Sequence, residues 1–189
     1  MTVRQVCGGT LFTPEAGIAL EHVMGTSEFV VEDGQADLSA EGIAKVMEDN
    51  YRSGRDVADA DAAQCRIKGA PKQSDGGKLR STQAAVVFLG HKRSAAEASG
   101  PRLLREGRAH TVKFDCVSSR VGSTRQVPLR ISADVSVVEG DVSGTATAAA
   151  DGLVLVHSAA VSVAEELGCE NKGGLPGRPA ELEQFSDES

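Results

Sequence analysis

Four cysteines, Cys7, Cys65, Cys116 and Cys169, punctuate the chain at separations of 58, 51 and 53 residues. None stands at the short spacing that marks a metal site or a dithiol redox motif. An even number of widely spaced cysteines fits long-range disulfides, which persist outside the reducing cytosol. Four cysteines allow three connectivities, and spacing alone does not choose among them. The competing reading is a cytosolic protein with four buried free thiols, since cysteine buries readily.

The core has to be built from small side chains. At 189 residues the length suits one domain. The 40% hydrophobic content includes no Trp, one Tyr (Tyr51) and five Phe, against a large share of Ala, Val and Gly, so small aliphatics must fill the interior. Aromatic rings bury the most area per residue, and a core short of them gains less per side chain. Disulfides then have a stabilising role. Closing a loop of this length contributes roughly 4 kcal/mol in the chain-entropy model, a large part of a net stability of about 5–15 kcal/mol. The same scarcity argues against carbohydrate recognition by ring stacking.

Local signals lay out the elements. Thr13-Pro14-Glu15 is a helix start: an N-cap, a proline in the first turn and an acid where the dipole favours it. Ala16, Ala19, Leu20 and Val23 follow at helical spacing, and Gly25 stops the helix. Ser39-Ala40-Glu41 opens a second helix that ends between Tyr51 and Gly54. A third runs from Ala148 to Leu167, with Leu153, Val156, Ala160, Val161, Ala164 and Leu167 toward the core and Gly168 as its terminator. Strands are expected at Ser27 to Glu32, Cys65 to Lys68, Gln83 to Leu89, Thr111 to Val117 and Pro128 to Val138. The last alternates, with Leu129, Ile131, Ala133, Val135 and Val137 on one face and Arg130, Ser132, Asp134 and Ser136 on the other. A period of two indicates an antiparallel sheet with one wet face. Residues 92–108 read as loop or short helix, broken at Gly100-Pro101. The expected architecture is α+β: an antiparallel sheet of about five strands packed against two or three helices and closed by two disulfides. It forms a single domain over residues 1–172, and the Pro/Gly-rich, acidic residues 173–189 read as a disordered tail.

Charge is distributed in blocks. The net charge of −7 argues against nucleic acid as a partner. Residues 28–61 carry −7, residues 62–130 carry +10 and residues 131–189 carry −9. Such blocks either average out on folding or form patches. In the second case Arg102, Arg105, Arg108, His110 and Lys113 form a basic ridge suited to an anionic envelope polymer, a lipid head group or an acidic protein.

Catalytic constellations are not legible. No G-x-S-x-G elbow occurs, and His22, His91, His110 and His157 lack ligand spacing. His22 and His157 fall on expected helices, where structural hydrogen bonding is the plainer role. Gly8-Gly9 lacks the strand, third glycine and lysine of a phosphate loop, so it reads as a tight turn beside Cys7. Asp56, Asp59 and Asp61 do not match a calcium loop. Glu165 and Glu166 point in different directions on a helix and read as surface charges. No cofactor and no metal site is expected.

The segments Cys7-Gly-Gly-Thr-Leu, Thr13-Pro14-Glu15 with Ala19-Leu20, and Cys65-Arg66-Ile67 carry a resemblance. So do Val112-Lys-Phe-Asp-Cys116-Val and Ala164-Glu-Glu-Leu-Gly-Cys169-Glu-Asn with Leu175-Pro176. Over most of residues 7–176 the chain resembles a group of small exported or membrane-anchored actinobacterial proteins of unknown function. More distantly it resembles an actinobacterial lipoprotein family with an N-terminal cysteine, a T-P-x-E-like helix start and a C-R-W strand; here Ile67 replaces the Trp and no lipobox precedes Cys7. The resemblance implies an extracytoplasmic domain behind an N-terminal anchor, with cysteines paired within each half, Cys7 to Cys65 and Cys116 to Cys169. No signal peptide or membrane span is legible in the sequence, so on this reading the export signal or anchor is absent from the chain. The function expected is a non-catalytic cell-envelope domain that binds a partner protein or an anionic envelope component. The alternatives are a hydrolase-type enzyme with dispersed catalytic residues and a purely structural surface protein.

Overall fold

The computed structural model describes residues 2–31, 39–70, 72–73, 79–80, 82–139 and 146–186. Its elements run α1 (Pro14–Met24), β1 (Phe29–Val31), α2 (Ala40–Arg52), β2 (Ala62–Gly69), β3 (Lys72–Gln73), β4 (Leu79–Arg80), β5 (Gln83–Lys92), β6 (Arg102–Glu106), β7 (Ala109–Cys116), β8 (Leu129–Glu139) and α3 (Ala146–Glu166). Six strands form one antiparallel sheet in the order β1-β2-β5-β8-β7-β6, and β3 with β4 forms a separate two-stranded ribbon. The α+β architecture is the expected one with a strand added. That strand is β6, which lies in the stretch expected to be loop or short helix. It pairs with β7 through a tight turn at Gly107-Arg108, from Arg102 opposite Lys113 to Glu106 opposite Ala109.

The helices begin where their caps dictate. Thr13 Oγ1 accepts from the Ala16 amide at 3.2 Å, and Ser39 Oγ accepts from the Gly42 amide at 3.1 Å. Gly25 ends α1 at φ 64°, a left-handed conformation that costs glycine nothing. The three helices cover one face of the sheet, and α3 is central, touching α1, α2, β7 and β8. Leu155, Val156, Ala159, Ala160, Val163, Ala164 and Leu167 are all buried, so α3 is apolar around most of its girth. By length and composition it could cross a membrane, yet here it serves as the core helix of the domain.

The interior matches its composition. Phe29, Phe88 and Phe114 are fully buried among Leu, Ile, Met, Val and Ala, while Phe12 and Phe185 pack at the margin. Tyr51 is buried with its hydroxyl donating to the Val127 carbonyl at 2.6 Å. The rings are thus committed to packing.

Both disulfides join residues within one half of the chain. Cys7 pairs with Cys65, tying the N-terminal segment to β2, and Cys116 pairs with Cys169, tying the end of β7 to the chain just past α3. The Gly8-Gly9 turn beside Cys7 has φ 70° and 74°. A Cβ on Gly8 would fall 2.6 Å from Ser39 Cα, so the turn is pressed onto the cap of α2.

The C-terminal segment departs from expectation. Through Ser186 it is folded against the domain instead of forming a disordered tail. Leu175 and Leu182 are buried, the second completely. His157 Nε2, on α3, donates to the Pro176 carbonyl at 2.8 Å, which is the structural role foreseen for that histidine. A 3-10 helix over Pro179–Phe185 then packs on α3 and β6, and Ser186 forms a parallel bridge with Leu103. The acidic, proline-rich composition concealed three spaced apolar anchors, Leu175, Leu182 and Phe185. His22, by contrast, is exposed, 3.6 Å from Asp151.

Candidate functional site

The β6–β7 hairpin carries all five residues of the expected basic ridge, and the pleat divides them. Arg102 and Lys113 are opposite each other in register and share the face that no helix covers. Arg105 and His110 are opposite each other one pleat further on, and both turn toward the helices. Arg108 lies in the turn itself. Four of the five therefore form two pairs on opposite faces, and Arg108 stands at the turn that joins the strands.

The helix-side set surrounds a cavity of about 200 Å³. Its floor is Val135 and Val137 of β8, with His110 beside them on β7. Its walls are Val23 of α1 and Ala148, Ala149, Gly152 and Leu155 of α3. Arg105, Gly107 and Arg108 complete the lining from the hairpin end. The lining is thus predominantly aliphatic, with two guanidinium groups and one imidazole as its charged and polar members. Gly152 has a spatial reason to be glycine: a Cβ there would sit 2.5 Å from His110 Nδ1. The imidazole fits under α3 because the helix has no side chain at that point.

His110 is buried. Burial pushes its pKa below the ordinary 6.5, and the neighbouring Arg105 pushes the same way, against opposing influences from Glu183 and Asp134. The imidazole is therefore neutral near pH 7 and offers one N–H donor and one acceptor. Arg105 also forms an ion pair with Glu183 from the C-terminal 3-10 helix. Both groups are partly exposed, so the pair is a rim contact that solvent can compete with.

A second polar group occupies the other face. His91 of β5, Arg130 of β8 and Asp115 of β7 form one cross-strand row. Arg130 is buried on the face expected to be wet, because the 93–101 connection folds over it. Arg130 Nη1 donates to Asp115 Oδ1 at 3.0 Å and to the Gly100 carbonyl at 2.9 Å. Asp115 Oδ2 accepts from the Gly100 amide at 3.1 Å and faces Arg93 Nε at 3.4 Å. His91 Nε2 lies 3.0 Å from Glu97 Oε1. Burial raises the Glu97 pKa, but hydrogen bonds from Ser94 and His91 outweigh it and leave the carboxyl below its ordinary 4.5.

Catalysis by either histidine would need a cavity and a proton partner together. His91 has the carboxylate and is buried beneath the 93–101 connection. His110 lines a cavity and, among the described residues, no carboxylate or hydroxyl is hydrogen-bonded to it. The two requirements fall on different histidines, on opposite faces of the sheet. Among the described residues no cluster of three or more His, Cys, Asp or Glu could hold a metal ion. Asp56, within the acidic connector, instead accepts from the Ala58 and Asp59 amides at 3.0 and 3.2 Å, and Asp61 pairs with Arg55.

Sequence reasoning found the basic residues and missed the cavity. Its walls come from α1, β7, β8 and α3, and no local pattern states that these meet. Comparison with protein-family models, curated proteins and solved structures gave no match.

Proposed function

We propose that this chain is a non-catalytic extracytoplasmic binding domain that holds an anionic component of the cell envelope at the Arg105–Arg108 end of its sheet. The observation that carries this reading is the convergence of Arg105, Arg108 and His110 on one open, largely aliphatic cavity. Two guanidinium groups at the mouth favour a carboxylate or phosphate, which they can engage through paired N–H donors. A neutral imidazole contributes a hydrogen bond without a third positive charge. The two disulfides support an oxidising compartment, and the resemblance to exported actinobacterial proteins supports an envelope setting.

The test is retention of the oxidised chain on purified cell envelope. Arg105→Glu combined with Arg108→Glu is expected to lower retention at least tenfold at low salt, and added salt should lower retention of the unaltered protein. Arg102→Glu, on the other face of the hairpin, is the control and should retain binding. Equal retention of the double variant and the unaltered protein would remove the basis for this reading.

A further inference from the structure

We infer that the ligand is a single-chain amphiphile, whose anionic head lies on Arg105 and Arg108 and whose apolar tail enters the cavity between β8 and α3. The inference rests on the binding-site reading above and adds the chemistry of the ligand. A site for a free inorganic anion or a sugar acid needs polar groups converging on the ligand from several sides. Here polar side chains occupy the hairpin end and aliphatic ones line the rest: Val23, Val135, Val137 and Leu155, with Ala148 and Ala149. A polar ligand inside would leave its inner hydrogen-bonding groups unmatched, which is costly for a buried group. An alkyl chain in the same place gains with every methylene it buries. At about 200 Å³ the space is smaller than the usual small-molecule site of roughly 300–1,000 Å³. That size suits one chain and excludes a two-chain lipid from entering with both tails.

The C-terminal segment belongs to the same arrangement. Glu183 is the carboxylate already seated on Arg105, so a ligand head group of like charge must displace it or share the guanidinium. Removing that carboxylate should therefore strengthen binding, a result that a merely structural role for Glu183 would not produce.

Isothermal titration of the oxidised full chain with decanoate, decanol and inorganic phosphate tests the inference. Decanoate is expected to bind with a Kd below about 1 mM, at least tenfold tighter than phosphate or decanol. Ala149→Phe places a ring at an exposed helical position on the cavity wall, where the fold tolerates it, and should weaken decanoate at least tenfold. Glu183→Gln should tighten decanoate severalfold. Circular dichroism and thermal melting establish that the variants are folded. Phosphate binding as tight as decanoate, or decanoate binding unmoved by Ala149→Phe, would overturn the inference, as would no heat with decanoate up to about 1 mM. The two readings fail separately. If decanoate does not bind but envelope retention still depends on Arg105 and Arg108, the rim recognises a polyanion and only the amphiphile is wrong. If retention and decanoate binding are both indifferent to the arginines, both readings fall.

Discussion

At the scale of single residues, His110 is the group at the candidate site whose chemistry departs from its ordinary state. The folded protein holds its imidazole neutral more strongly than the unfolded chain does, through burial first and Arg105 second. Unfolding therefore takes up a proton below pH 6.5. The stability this group supplies is complete above that value and is lost as pH falls from it toward the lower folded-state pKa. Glu183 and Asp134 oppose the shift without reversing it. The melting temperature is expected to fall between pH 7 and pH 5, with a smaller fall in His110→Gln. Parallel pH profiles for the two proteins would show that His110 is not held neutral. Glu97, a half-buried carboxyl held below its ordinary value, loses its contribution only below 4.5, so it does not confuse that window. In the sequence His110 was visible as one basic residue among five and as one of four histidines without ligand spacing. Its neutral state depends on Gly152, forty-two positions away, leaving room for the ring.

At the scale of elements, the legible parts were those written in local chemistry. Thr13-Pro14 and Ser39 sit where caps belong, and β8 shows the alternation of a half-buried strand, so these were found within a few residues of their bounds. β6 was missed because Arg102-Leu-Leu-Arg-Glu has two adjacent leucines and no alternation; it is a strand because β7 supplies partners for its backbone. The C-terminal 3-10 helix was missed for a related reason, since its order depends on a niche built by α3 and β6. Filling that niche is the work of Leu182, which is completely buried. Leu182→Ala is expected to cost about 2–5 kcal/mol, whereas Glu183→Gln, at an exposed ion pair, should cost less than about 1 kcal/mol. Urea unfolding should show the first as a lower midpoint with little change in slope. A Leu182→Ala protein as stable as its parent would mean that the segment is not docked in solution.

At the scale of the whole molecule, the charge blocks of the sequence are stitched together. The basic middle segment reaches the acidic first block through Arg120 and Glu48, and the acidic last block through Arg125 with Glu170 and Arg105 with Glu183. Arg125 with Glu170 and Arg105 with Glu183 are exposed, so their worth lies more in evening out the surface field than in stability, whereas Glu48 is nearly buried between Arg52 and Arg120. The covalent staples contribute more. Replacing Cys116 and Cys169 together by Ser is expected to cost about 2–5 kcal/mol in urea unfolding, and a peptide map of the unreduced protein should recover Cys7 joined to Cys65 and Cys116 joined to Cys169. The strand order carries one more consequence. β1, β2 and β5 come from the first half of the chain and β8, β7 and β6 from the second, so the middle of the sheet is a seam between β5 and β8. Each disulfide lies wholly on its own side of that seam, and the only covalent crossing is the connection from β5 to β6, where Ala98 and Ser99 are exposed. A single nick there would turn the protein into two separately stapled pieces held by the β5–β8 ladder and by packing, with no covalent bond between them, a natural pair for fragment complementation.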